Sequence, residues 1–146
     1  MSNLFSSFQK VLPQHGLSRL VGALAKSKHP FVSKTFIMQF ARAYDISLAE
    51  AERKSLSDYE SFNDFFTRAL EPGVRPMPGD ARNLASPVDG AVSQMGKIDG
   101  NQLMQAKGHR YSLNSLAGKA GSGLEDGNFC TIYLAPNDYH RIHLPF

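Results

Sequence analysis

Apolar residues recur at helical spacing along the first third of the chain. Leu4, Phe5, Phe8, Val11 and Leu12 form one set, which Pro13 stops, and Leu17, Leu20, Val21 and Leu24 form a second, with Arg19, Lys26 and Lys28 largely off the stripe. Pro30 suits the first turn of a third helix, where its missing N–H would have no partner anyway. That helix presents Phe36, Ile37, Phe40 and Tyr44 along one side. Ser47–Glu50 and Ser61–Asp64 each have the form of a helix N-cap with an acid three residues on. The second of these opens a short helix whose Phe62, Phe65, Phe66 and Leu70 read as core. Between Glu71 and Asp80, three prolines and two glycines interrupt everything, which is the composition of a linker. Beyond it the texture is strand and turn. Ala91, Val92, Met95 and Ile98 sit among Gly90, Gly96 and Gly100, and Asp99-Gly100 is a hairpin-type dipeptide. Gln102–Lys107 reads as a second short strand, Ser112–Leu116 as one or two helical turns, Gly118–Gly127 as a glycine-rich loop, and Phe129–Leu134 as the clearest strand. Helices first and strands second predict the α+β class: N-terminal amphipathic helices followed by a mostly antiparallel β domain.

Composition narrows this picture. At 146 residues the chain is long enough for a real core. No apolar run approaches the roughly 18 to 20 residues that span a bilayer. The N-terminus lacks the continuous apolar core and small-residue cleavage site of a secretory signal. The single cysteine, Cys130, excludes an intramolecular disulfide and any cysteine cluster for zinc, and its apolar neighbours predict a buried structural thiol. The net charge of +3 hides an asymmetry. The first 44 residues hold six bases and no acid, and they hold half of the ten phenylalanines; the rest carries a net −3. Such a segment suits the surface of an anionic membrane, or else a helical cap whose bases are merely solvated. The complete absence of acid, which a solvated face does not require, favours the membrane.

Candidate chemistry gathers in Asn137–Pro145, where Asp138, His140, Arg141 and His143 follow the clearest strand. Imidazoles this close to a carboxylate suit proton transfer. Pro145 disfavours a long helix, so the segment reads as irregular or extended; on a continuing strand Asp138 and His140 would share a face. Asp89, held between Pro87 and Gly90 at the start of a strand, either closes a turn or orients a histidine. A zinc site on His140 and His143 is disfavoured, because no third firm ligand is identifiable. An aspartate–histidine pair serving as general base wants a hydroxyl or thiol nucleophile, and none is obvious in these residues.

Taken together, residues 86–96 (SPVDGAVSQMG), 105–113 (QAKGHRYSL) and 133–145 (YLAPNDYHRIHLP) resemble the proenzymes of bacterial membrane-bound phosphatidylserine decarboxylases. Residues 61–70 (SFNDFFTRAL) and 74–76 (VRP) fit the same pattern, in the family's order. The resemblance implies a precursor that cuts itself at a Gly-Ser bond in a C-terminal Leu-Gly-Ser-Thr-like motif. The serine becomes a covalent pyruvoyl group, whose ketone engages the amine of phosphatidylserine and lets CO₂ depart. It implies Asp89 and His143 as the acid and base that activate the serine, His140 as the histidine of the decarboxylation step, and Asp138 as their support. The serine motif does not occur in these residues, so the resemblance implies a truncated form, inactive by itself. Residues 1–78 would be a helical membrane-associating region and residues 79–146 the N-terminal part of an incomplete β-rich catalytic domain. The implied partners are an anionic phospholipid membrane, on the cytoplasmic side of the cell inner membrane, phosphatidylserine, and a C-terminal small subunit, with room for a homodimer and no nucleic acid. The competing expectation is a non-catalytic membrane-surface binding module.

Overall fold

The computed structural model describes residues 14–80, 82–104 and 110–144. The helix expected over Leu4–Leu12 lies outside them, as do residues 105–109, the first part of the 105–113 motif. The described chain contains helices and small antiparallel sheets, so the α+β class holds. It divides into two compact units between Met77 and Pro78.

The first unit is helical. Helix α1 spans Gln14–Lys26 and α2 spans Pro30–Ala43, with Pro30 in its first turn as expected. Helix α2 ends in a Schellman arrangement: Asp45 takes a left-handed φ of +49° and Ile46 N donates to Ala41 O. Ile46 can then fold back onto the core. Helix α3, Phe62–Phe66, is capped by Ser61, whose hydroxyl accepts from Asp64 N. Ile37, Ala41, Tyr59 and Phe65 are buried together, and Phe40, Ile46, Leu48, Leu56 and Phe62 pack around them. The rings meet edge to face and stacked: Phe36 lies 4.4 Å from Phe62, and Phe40 lies 4.9 Å from Phe62. The aromatic side of α2 is thus spent inside its own unit. Helix α1 behaves otherwise. It touches α2 and α3, yet Leu17, Leu20, Val21 and Leu24 remain 43–58% exposed.

The first cap read from sequence, Ser47–Glu50, does not start a helix. Ser47 Oγ accepts from Ala49 N in a local turn, and Glu50 turns to Arg75 instead. The chain then runs extended, with Ala51 bridged to Leu70 and Glu71 N donating to Glu50 O. The competing partner is long-range: pairing with residues 69–71 satisfies the backbone that a helix would have satisfied locally. The cap that does form here precedes a 3₁₀ turn at Leu56–Asp58, where Ser55 Oγ accepts from Ser57 N and Asp58 accepts from Ser55 N. Asp64 is the electrostatic centre of the unit. Its carboxylate takes a bidentate pair from Arg53 at 2.8 and 2.6 Å, and accepts from Glu60 N. Arg53 also lies over the Tyr59 ring. The Arg53 hydrogen bonds hold the Asp64 carboxyl below its ordinary range.

The second unit is built on strands. Strand β1 (Ala91–Lys97) pairs antiparallel with β4 (Asn128–Tyr133), and β2 (Gln102–Met104) pairs antiparallel with β3 (Arg110–Ser112). The β1–β4 register slips at Ser93, a bulge whose hydroxyl donates to Thr131 O. Asp99-Gly100 does make a tight turn, with Gly100 at φ +56°, but it does not pair β1 with β2. Asn101 redirects the chain: its carbonyl and side chain accept from Leu113 N and Asn114 N at the start of α4, Leu113–Ala117. Ser112 caps that helix, which falls where the sequence puts it. The buried core is Ile98 and Leu113, with Phe129 against them. Cys130 is exposed, not buried. It alternates with Phe129 along β4 and sits opposite Met95, which is 72% exposed. A two-stranded ribbon buries one face, and Cys130 lies on the other.

Candidate active site

The segment 134–144 leaves β4 without helix or strand, as its proline and turn residues predict. Asp138 shapes its beginning. Its carboxylate accepts from Ala135 N at 2.6 Å and its own N–H donates to Ala135 O, so the aspartate closes the turn through Pro136 and Asn137. Its backbone meets His140: His140 Nδ1 lies 2.9 Å from Asp138 O. A carbonyl can only accept, so Nδ1 carries the proton and Nε2 holds the lone pair of the neutral ring. Asp138 therefore orients His140 twice over, by shaping the turn and by fixing the tautomer.

His143 is held at two points. Its backbone N–H donates to Pro87 O at 2.9 Å, and its ring Nε2 lies 2.8 Å from the Tyr139 hydroxyl. The first contact joins the two segments singled out from sequence. Pro87 stands two residues before Asp89, so the backbone bond brings the Ser86–Gly90 turn against the histidine segment. Gly90 fixes the other side of that turn. A Cβ there would stand 2.5 Å from Tyr133 O and 2.9 Å from an Ile132 methyl, so only glycine lets the turn close onto the end of β4. Asp89 is half-buried between these two anchors.

Tyr139 was not singled out from the sequence, although it is the one buried residue of the segment, 8% exposed. The signal was an aromatic standing inside a charged run, four residues before His143. Its ring stacks on the imidazole, with 14° between planes. Beyond it Ile142 and Leu144 are 81% and 74% exposed. Among the described residues no group of three His, Cys, Asp or Glu side chains stands close enough to hold a metal ion, and no helix is long and apolar enough to cross a membrane.

Comparison with known proteins agrees with the motif series. A family model described as phosphatidylserine decarboxylase matches residues 62–146, and a second, described as PSD, matches residues 4–45. The chain is 48% identical over 146 residues to a phosphatidylserine decarboxylase proenzyme of Psychrobacter cryohalolentis, covering 99% of this chain and 53% of that protein. It is 50% identical over 145 residues to the proenzyme of Hahella chejuensis, covering 97% and 49%. The proenzyme of Alcanivorax borkumensis is 49% identical over 147 residues, covering 98% and 50%. The chain thus spans about half the length of the curated relatives it matches.

Proposed function

The chain belongs to the phosphatidylserine decarboxylase family, and from that premise we propose that it supplies the acid–base residues of a pyruvoyl-dependent enzyme converting phosphatidylserine to phosphatidylethanolamine and CO₂. The observation that carries the proposal is the His143 N to Pro87 O hydrogen bond, which joins the aspartate turn to the histidine segment. In this reading Asp89 and His143 activate the serine of self-cleavage. His140 moves a proton in the decarboxylation step through Nε2, the nitrogen left with the lone pair once Nδ1–H is committed to Asp138 O. Asp138 holds that geometry.

A covalent pyruvoyl ketone would supply the electron sink for loss of CO₂. The donor set fits such a group: two imidazoles three residues apart, each with one ring nitrogen engaged by a protein partner, beside an Asp-Gly turn. No serine of residues 1–146 is read as the source of the pyruvoyl group. Activity is therefore expected of a precursor that provides that serine, together with its small subunit, and not of these residues alone.

The test is a precursor in which this chain is joined to the C-terminal half of the Hahella chejuensis relative. It should cleave itself and form ethanolamine lipid from serine lipid. His143→Ala should block cleavage, whereas His140→Ala should cleave and fail to decarboxylate. A precursor in which His143→Ala cleaves at the parent rate would sink the assignment.

The reading includes peripheral attachment to an anionic membrane, on the cytoplasmic side of the inner membrane. Its support is α1, whose exposed Leu17, Leu20, Val21 and Leu24 lie in a region without acids, together with Phe31 at 76% exposure. The same observation favours the second reading, a membrane-surface module without catalysis. Co-sedimentation with anionic and neutral vesicles at low and high salt tests attachment. Binding by the chain with no cleavage or decarboxylation in the joined precursor would select the module.

A further inference from the structure

We propose that Tyr139 is the positioning residue of His143: its hydroxyl donates to Nε2 and holds the neutral imidazole as the tautomer protonated on Nδ1. The geometry is a close match for that role. Tyr139 is buried at 8% exposure, although its neighbours are Asp138 and His140. Its ring lies 14° from parallel to the imidazole with centroids 5.5 Å apart, and its oxygen is 2.8 Å from Nε2. The opposite end of His143 is fixed by the backbone bond to Pro87 O. With both the backbone and one ring nitrogen held, the imidazole has little rotational freedom left.

The direction of the bond follows from the two groups. A phenol O–H is a far stronger acid than the N–H of neutral imidazole, and the unprotonated ring nitrogen is a far better acceptor than a phenol oxygen. The arrangement O–H···N therefore wins over N–H···O. An imidazole free in water prefers the opposite tautomer, with the proton on Nε2, so the tyrosine reverses the default.

The consequence rests on the decarboxylase reading. An aspartate–histidine–serine relay needs Nδ1–H pointed at the acid and the Nε2 lone pair offered to the hydroxyl. Tyr139 imposes that state before any nucleophile arrives, because its hydroxyl does to Nε2 what the serine hydroxyl must do later. The serine has only to displace one neutral hydrogen bond, and no proton has to be relocated on the ring first.

The experiment is long-range proton–nitrogen correlation on the full 146-residue chain carrying nitrogen-15 histidine, at a pH where the imidazoles are neutral, with His143 assigned by its loss in His143→Gln. The expected result is a protonated Nδ1 and an unprotonated Nε2 at His143. In Tyr139→Phe, which keeps the ring and removes the hydroxyl, the Nε2–H form should become the majority. Nε2–H in the unaltered chain overturns the proposal without recourse to any variant, and so does an unchanged tautomer in a folded Tyr139→Phe chain.

In the joined precursor, Tyr139→Phe should slow self-cleavage about fivefold to tenfold, the scale of one neutral hydrogen bond. If the tautomer responds to Tyr139→Phe but His143→Ala cleaves normally, the decarboxylase reading fails and the positioning role stands. If His143→Ala blocks cleavage and the tautomer ignores Tyr139→Phe, the positioning role falls and the reading stands.

Discussion

The two units spend their residues differently. The first closes a core of aromatic rings around Ile37 and Phe65, both 0% exposed, and locks its loops with the Arg53–Asp64 pair. Among its described residues the second buries little beyond Ile98, Leu113 and Tyr139, and leaves Val92, Met95 and Tyr133 of its ribbon 57%, 72% and 60% exposed. Among the described residues no third strand joins either sheet. An antiparallel pair of strands is marginal by itself. The residues proposed for chemistry all lie in this second unit, held by turns and backbone hydrogen bonds more than by packing. The contrast separates two jobs: apolar burial gives the first unit its stability, and local hydrogen bonding gives the second its geometry.

The largest effect expected from breaking this contrast is at Phe65. Phe65→Ala should cost about 3–5 kcal/mol in chemical denaturation, the scale of an emptied aromatic site. It should raise amide exchange in α2 and α3 while β1 and β4 stay as they were; equal losses in both units would mean that the cores are not separate. Next is Gly90→Ala. The added methyl meets a backbone oxygen, which cannot swing aside as a side chain can. The expected cost is about 1–3 kcal/mol, with spectral changes confined to residues near Tyr133, Pro87 and His143.

Smaller again is Asp64→Asn, expected to cost about 1 kcal/mol because the ion pair is partly exposed. Its signature is in the pH dependence. The folded carboxyl is held below its unfolded value, chiefly by the Arg53 hydrogen bonds. Its contribution is therefore complete above the unfolded value, near 3.8, and is lost as pH falls through the folded one. A denaturation series from pH 6 downward should show the unaltered first unit losing stability below about pH 4, with a shallower slope for Asp64→Asn. Identical slopes would assign the acid sensitivity to other carboxylates. The smallest effect is at the exposed face of the ribbon: Met95→Ala should change stability by no more than about 0.5 kcal/mol. A loss of 2 kcal/mol there would show that this face is covered in solution.

Much of the local structure is legible in the residues because its partners lie within a few positions. Ser61 and Ser112 cap the helices expected of them, Pro30 opens α2, and the 134–144 segment stays irregular. The misreadings share a physical cause. Ser47 has the same local signal as Ser61, but the residues after it pair with residues 69–71 instead of coiling. Cys130 has apolar neighbours in sequence, but burial follows the face of the ribbon and not the neighbours. Asp138 and His140 were legible as a pair, whereas the use of the Asp138 carbonyl as an acceptor was not, because a backbone acceptor has no signature in side-chain identity.

The sequence by itself determined the family, through several motifs kept in order, and the class of fold, through helical patterns followed by strand patterns; it also determined the caps at Ser61 and Ser112, each of which is satisfied within a short stretch of chain. Only the tertiary structure decided which apolar faces are enclosed, α2 inside and the α1 stripe outside. It alone brought the Pro87 carbonyl to His143, and set Tyr139 against the same imidazole. Burial and hydrogen-bond partnership depend on what else arrives at a surface or a donor, and for these groups that is decided by folding.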